Sequence, residues 1–153
     1  MSTKIQLHYS QALDIDLLEK NVEVWFRRLT VQVVFGKQKD FSQPYEAIVD
    51  TGAPVSIIPP AIWRDCEKEI IGQYKIRGLV PKKDAYIDVK IANISCVLFD
   101  EHNASGVLAI KAYLSMEPNV PLVLGFEGFL SKAKLYSDIQ AKQGYIDIKK
   151  IGK

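Results

Sequence analysis

Cysteine and histidine are scarce in this chain, with two of each among 153 residues. Cys66 and Cys96 stand in unlike contexts without a CxxC or other ligand spacing, which excludes a disulfide scaffold or a thiolate cluster and fits a reducing compartment. His8 and His102 are isolated, so they read as surface residues rather than ligands, and neither a metal nor a cofactor is expected. Charge of one sign is lacking too. Lys plus Arg number 20 against 18 Asp plus Glu, a net charge of +2 spread along the chain. No basic face or tail emerges, so nucleic acid and anionic membranes are not expected partners. No stretch approaches the roughly 20 apolar residues of a membrane span. The opening MSTKIQLHYSQALDIDLLEK mixes polar residues into every short window, unlike the apolar core of a secretory leader, and the expected location is cytoplasmic. Repeats and low-complexity tracts are also missing. The chain reads as one globular unit over 1–153, with a segment up to about residue 24 that has no assigned role.

What is present is a series of short runs rich in Val, Ile, Tyr and Phe, broken by Gly, Pro, Asn or charged clusters, the pattern of a many-stranded β domain. Strands are expected over 31–35, 45–49, 73–76, 85–91, 95–99, 106–112, 122–124 and 145–148. Surface turns are expected over 36–40 and 100–105. Helix is confined to short pieces: one opened by Pro59-Pro60, where proline suits a first turn, and one over 126–132 after Gly125. Around Leu13 to Val22 the apolar spacing fits a strand and a helical face equally well. Trp25 and Trp63 read as packing residues rather than binding platforms.

One junction carries chemistry. The apolar run Ala47-Ile48-Val49 leads directly into Asp50-Thr51-Gly52-Ala53, which pushes a carboxylate toward a low-dielectric interior where its acidity becomes adjustable. Gly52 permits a sharp turn and close approach of another segment, and Thr51 supplies a hydroxyl able to donate and accept. Ser56 lacks a Gly-x-Ser-x-Gly setting and a nearby histidine, so it reads as hydrogen-bonded support for the loop rather than a nucleophile. A bare Asp-Thr-Gly is common enough to arise by chance; its flanks give it weight.

The segment AIVDTGAPVSIIP resembles the active-site segment of the retropepsin-like aspartic proteases. A second block, Pro121-Leu122-Val123-Leu124-Gly125-Phe126-Glu127-Gly128-Phe129-Leu130, is similar to that family's second signature, an apolar strand ending in glycine before a short helix, with one further strand over 133–139. Between them, 73–89 reads as two strands joined by a Gly/Pro/charged tip, and by resemblance this is the flap that closes over bound peptide. The resemblance spans about 31–148. It implies an all-β, retropepsin-like acid protease fold, a closed or orthogonal barrel with a flap hairpin and one or two short helices. It also implies a homodimeric aspartic endopeptidase acting on polypeptide without metal or cofactor. Since the chain holds one Asp-Thr-Gly and the chemistry needs two carboxylates, the second must come from a second copy. In that reading Asp50, Thr51 and Gly52 are catalytic, Ala53, Gly78, Leu79 and Val80 bind substrate, and Ser56, Leu124 and Gly125 support the site. Thr51 would bond across to the other copy.

Two positions depart from the retroviral pattern. Pro54 and Phe126 stand where an acidic residue and an arginine usually join an interface ion pair, and Pro54 also removes one backbone donor. Losing both partners together avoids stranding a buried charge. The alternative is therefore a catalytically silent retropepsin-like dimer that binds peptide or serves assembly. Phosphoryl-transfer enzymes with an Asp nucleophile would want a second Asp where Gly52 sits, and sugar-kinase-like ATPases a larger α/β pattern.

Overall fold

A computed structural model describes residues 1–77 and 86–150. The β-branched and aromatic runs form β1 (Ser2–Gln6), β2 (His8–Leu13), β3 (Trp25–Phe35), β4 (Tyr45–Val49) and β5 (Ser56–Ile58). They continue as β6 (Lys68–Arg77), β7 (Tyr86–Phe99), β8 (Leu108–Ser115), β9 (Val123–Leu124), β10 (Ala133–Asp138) and β11 (Gln143–Lys149). Among the described residues helix is limited to single turns, α1 (Ile15–Leu18), α2 (Pro60–Trp63) and a 3₁₀ turn at Leu130–Lys132. The protein is all-β.

Six of these strands close into a ring. The order β3-β4-β9-β5-β8-β7 returns to β3 through an antiparallel pairing that runs from Gln32↔Phe99 to Phe35↔Cys96. β2 extends the sheet from β3, and β6 extends it from β7. The two-residue β9 lies parallel to β4 and antiparallel to β5, while β5 runs parallel to β8. Strand alternation divides the apolar side chains between two cores. Ile58 and Leu124, both 0% exposed, join Phe35, Leu98, Leu114 and Phe129 in the main one. Their neighbours Ile57 and Val123 face a smaller cluster with Ala53, Ile87, Val89 and Val120. The tripeptide loop follows directly on β4, between these two layers.

Several expectations need correction. Strands expected over 85–91 and 95–99 are one continuous strand, because β7 is paired by β6 on one side and β8 on the other, which carries the ladder through Asn93. The helix expected over 126–132 is a series of tight turns that only becomes 3₁₀ at Leu130. Gly128 takes φ +86, outside the right-handed helical region, and interrupts it. Around residues 13–22 both periodicities find a place, since Leu13 ends β2 and Asp14 caps α1 by accepting from the Leu17 N–H at 3.1 Å. Trp63 packs as expected, 5% exposed, with its indole N–H donating to the Ser115 carbonyl. Trp25 does not, at 36% exposed. Both cysteines are free and buried. Burial pushes the Cys96 thiol up to about 12, and burial likewise raises Cys66 against the opposing pull of Lys37 and Lys68.

The N-terminal segment acquires a structural role. β1 pairs along β11 from Ser2↔Lys149 to Gln6↔Tyr145, and β10 flanks β11 on its other edge. Ile5 and Ile146 on this second sheet are fully buried. Its end is fastened by Asp100, whose carboxylate accepts the backbone N–H groups of Gln6, His102 and Asn103 at 2.7–2.8 Å. Partial burial pushes this carboxyl up, but the three N–H donors outweigh it and hold it below the usual carboxylate value. A depressed folded value means stabilisation that is present above the ordinary carboxylate range and lost as pH falls through the lowered one. Hydrogen exchange at the Gln6 amide should therefore accelerate on acidification in the parent chain, and be fast and nearly pH-independent, beyond intrinsic chemistry, in Asp100→Ala.

Candidate functional site

The Asp50 loop is held by backbone from both sequence blocks. Asp50 N–H donates to the Leu124 carbonyl at 3.1 Å, continuing the β4–β9 ladder by one rung. Its own carbonyl accepts the Ala53 N–H at 3.3 Å, and its Oδ1 accepts the Gly52 N–H at 2.8 Å. This last bond orients the carboxylate. Asp50 is partly buried, while Thr51 and Gly52 are exposed. Gly52 turns without a left-handed backbone; a Cβ there would meet only the Asp50 Oδ1, at 3.2 Å.

Below this loop the strand-to-turn junction at Gly125 packs against it without room for a side chain. A Cβ on Gly125 would lie 2.4 Å from the Ala53 carbonyl oxygen and 2.8 Å from that of Val55. The Gly125 N–H is taken by Ser56 Oγ at 3.1 Å, and Ser56 is 0% exposed. Phe126 N–H donates to the Ala53 carbonyl and Glu127 N–H to the Pro54 carbonyl. The structure thus brings Asp50, Ala53, Ser56, Leu124 and Gly125 into one hydrogen-bonded unit, although 69 positions separate Ser56 from Gly125.

Ser56→Ala leaves the Gly125 N–H buried without an acceptor and should cost about 1–3 kcal/mol in urea or thermal unfolding. Thr51→Ala is the contrast. Thr51 is exposed in the single chain, so the isolated chain should change by less than about 0.5 kcal/mol.

Over the loop lies an open groove of about 550 Å³, lined on one side by Asp50, Gly52, Ala53, Pro54, Val55 and Ile57. The opposite wall comes from the β6–β7 hairpin and β8, with Tyr74, Lys75, Ile76, Arg77, Tyr86 and Tyr113. Tyr74 and Tyr113 stack with ring centroids 6.3 Å apart, and the Arg77 guanidinium lies over the Tyr86 ring. Tyr74 to Arg77 and Tyr86 fall inside the segment 73–89 expected as the flap, though none was singled out there, and Tyr113 was missed. Tyr113 lay beyond the strand expected over 106–112, and a lone tyrosine on a strand gives no sign of the face it occupies. Ala53 lines the groove, with its N–H committed to the Asp50 carbonyl and its own carbonyl to the Phe126 N–H. Gly78, Leu79 and Val80, expected at the hairpin tip, lie outside the described residues.

Among the described residues, no group of three or more His, Cys, Asp or Glu is placed to hold a metal ion, and no helix is long and apolar enough to cross a membrane. No family model matches the chain, and no curated protein matches it. Among solved structures, EIAV protease complexed with the inhibitor HBY-793 is similar, at 16% identity and a TM-score of 0.36, over 64% of this chain and 81% of that chain.

Proposed function

We propose that the chain is one half of a homodimeric, retropepsin-type aspartic endopeptidase, in which Asp50 of each copy supplies one of two catalytic carboxylates. The observation that carries this reading is the interlock of the two sequence blocks: Asp50 N–H on Leu124, and Gly125 pressed against the carbonyls of Ala53 and Val55. Such packing spends a glycine and a buried serine on holding one short loop, and the loop presents a partly buried carboxylate to an open groove of about 550 Å³.

In the dimer a two-fold axis beside the loop sets the two Asp50 carboxylates together. Two carboxylates that close share a proton and titrate as a pair. The ionised member takes a proton from a water as that water attacks the scissile carbonyl; the protonated member donates to the carbonyl oxygen as charge develops there. Gly52 N–H, already on Oδ1, keeps the carboxylate aimed. The groove walls grip the extended peptide, with Tyr74 and Tyr113 offering apolar faces and Lys75 and Arg77 a positive rim. Pro54 has no backbone N–H to give, so substrate is held with one donor fewer than in relatives with a non-proline residue there.

Incubation with a library of unstructured peptides, read by mass spectrometry across mildly acidic to neutral pH, tests this. Internal cleavage whose rate per chain rises with protein concentration is expected, because only the dimer is complete. Peptides that stay bound and intact for days would replace this reading with the silent, peptide-binding dimer.

A further inference from the structure

β3 outruns the sheet it belongs to. Its last pair with β4 on the Asp50 side is Thr30↔Ile48, and from Leu29 back to Trp25 it is paired only with β2, from Tyr9↔Leu29 to Leu13↔Trp25. Since β3 and β4 are antiparallel, those five β3 residues lie on the side toward which β4 delivers Asp50. At about 3.3 Å per residue the ribbon extends roughly 17 Å past the last β3–β4 pair. Its tip is an ordered structure. Asp14 caps α1, Asp14 N–H bonds the Val24 carbonyl, Val22 N–H bonds the Leu17 carbonyl, and Asn21 takes φ 60 to close the turn.

That well-hydrogen-bonded tip fully buries none of its large apolar side chains, and only Leu13 and Leu17 are half-buried. Ile15 is 59% exposed, Leu18 42%, Val22 46%, Val24 40%, Trp25 36% and Phe26 46%, and α1 contains no buried residue. Two-stranded ribbons are marginal in water without a packed face, and an ordered apolar patch rimmed by charge of both signs, here Asp14, Asp16, Glu19, Lys20, Glu23, Arg27 and Arg28, has the anatomy of an interface.

We infer that this arm is a docking element for a second copy of the chain, reaching across beside the Asp50 loop to clasp the partner. The inference rests on the reading that two copies meet at Asp50. Three observations favour the second copy as occupant. The arm leaves the barrel at the edge where the Asp50 loops must meet, so its patch is continuous with that contact. None of its residues lines the groove, which removes it from peptide binding. Two-fold symmetry uses it twice: twelve half-exposed apolar side chains at roughly 100 Å² each contribute on the order of 1,000 Å², and with the partner surface they cover this reaches the roughly 1,200–2,000 Å² of a stable interface.

The full chain, Asp50→Asn and the triple variant Ile15→Ser, Leu18→Ser, Phe26→Ser are compared by sedimentation equilibrium and by iodide quenching of tryptophan emission. Trp25 is the accessible indole and Trp63 the buried one, so quenching reports the arm. The expected result is that the parent and Asp50→Asn dimerise and lose iodide access to Trp25 as concentration rises. The triple variant should keep the parent's circular dichroism, keep its melting temperature at dilutions where both chains are monomeric, associate at least about tenfold more weakly, and keep Trp25 accessible. Its hydrolysis per chain should fall at low concentration and recover at high concentration. Equal dimerisation by the triple variant and the parent, with hydrolysis intact, would overturn the arm and leave the peptidase reading standing. Weakened association of the triple variant with no hydrolysis by the parent would do the reverse. Shielding of Trp25 by peptides or lipid vesicles, without any concentration dependence, also overturns the arm's assignment to a second copy.

Discussion

Asp50→Asn is expected to fold and dimerise like the parent and to hydrolyse peptide at least about a thousandfold more slowly, since the amide can neither take a proton from water nor share one with its partner. The Gly52 N–H keeps an acceptor in the Asn side-chain oxygen, so the loop need not rearrange. Mixing sharpens the test. When a fourfold excess of Asp50→Asn is added to a fixed amount of parent chain well above the dissociation constant, random pairing of subunits leaves only about one-fifth of the parent chains in parent–parent dimers. Measured activity should fall to about that fraction. Activity that ignores the added variant would mean that one copy of Asp50 suffices, and the shared-dyad chemistry would be abandoned.

Gly125→Ala is the variant with the largest expected effect on the folded chain. The new methyl would stand 2.4 Å from the Ala53 oxygen and 2.8 Å from the Val55 oxygen, both backbone atoms of the loop that bears Asp50. Neither can swing away as a side-chain end could. We expect a loss of about 3 kcal/mol or more, at the upper end of overpacking costs. If enough protein stays folded at low temperature, its hydrolysis should be lost as well, because the clash is relieved only by moving the loop. Gly72→Ala is the matched control, with nothing within 4 Å of its Cβ position, and should shift stability by less than about 0.5 kcal/mol. Similar unfolding midpoints for the two variants would show that the loop yields easily, and the interlock would then be too soft to define a site.

The features legible from sequence were those encoded in short windows. Alternating Val, Ile and Tyr located most strands, and Ala47-Ile48-Val49 before Asp50 placed the loop at a strand end, as found. Ser56 could be read as loop support because its neighbours exclude the other chemistry of serine, but its partner, the Gly125 N–H, could not be read. That bond depends on β5 and β9 lying side by side, a relation set by the ring and not by any local pattern. The same applies to the groove wall. Tyr74 and Tyr113 belong to strands separated by β7, and they stack because of sheet register. Gly128 shows the converse failure. Its neighbours Phe129, Leu130 and Lys132 favour helix, yet a Cβ there would meet the Ala109 oxygen at 2.3 Å, and tertiary crowding with a left-handed backbone overrides local preference. The N-terminal segment stayed without a role for a related reason: its partner strand β11 lies at the other end of the chain.

That last pairing has a mechanical consequence. Ser2 lies opposite Lys149 at the outer end of an antiparallel pair, so tension applied between the two ends loads the β1–β11 hydrogen bonds one at a time, from the Ser2 end inward. Bonds loaded singly in peeling geometry yield at far lower force than bonds loaded together in shear. Five residue pairs down that zipper sits Gln6, held by Asp100. A chain pulled by its ends would therefore open its outer sheet first and pause at that carboxylate, with the ring of strands around Asp50 still closed.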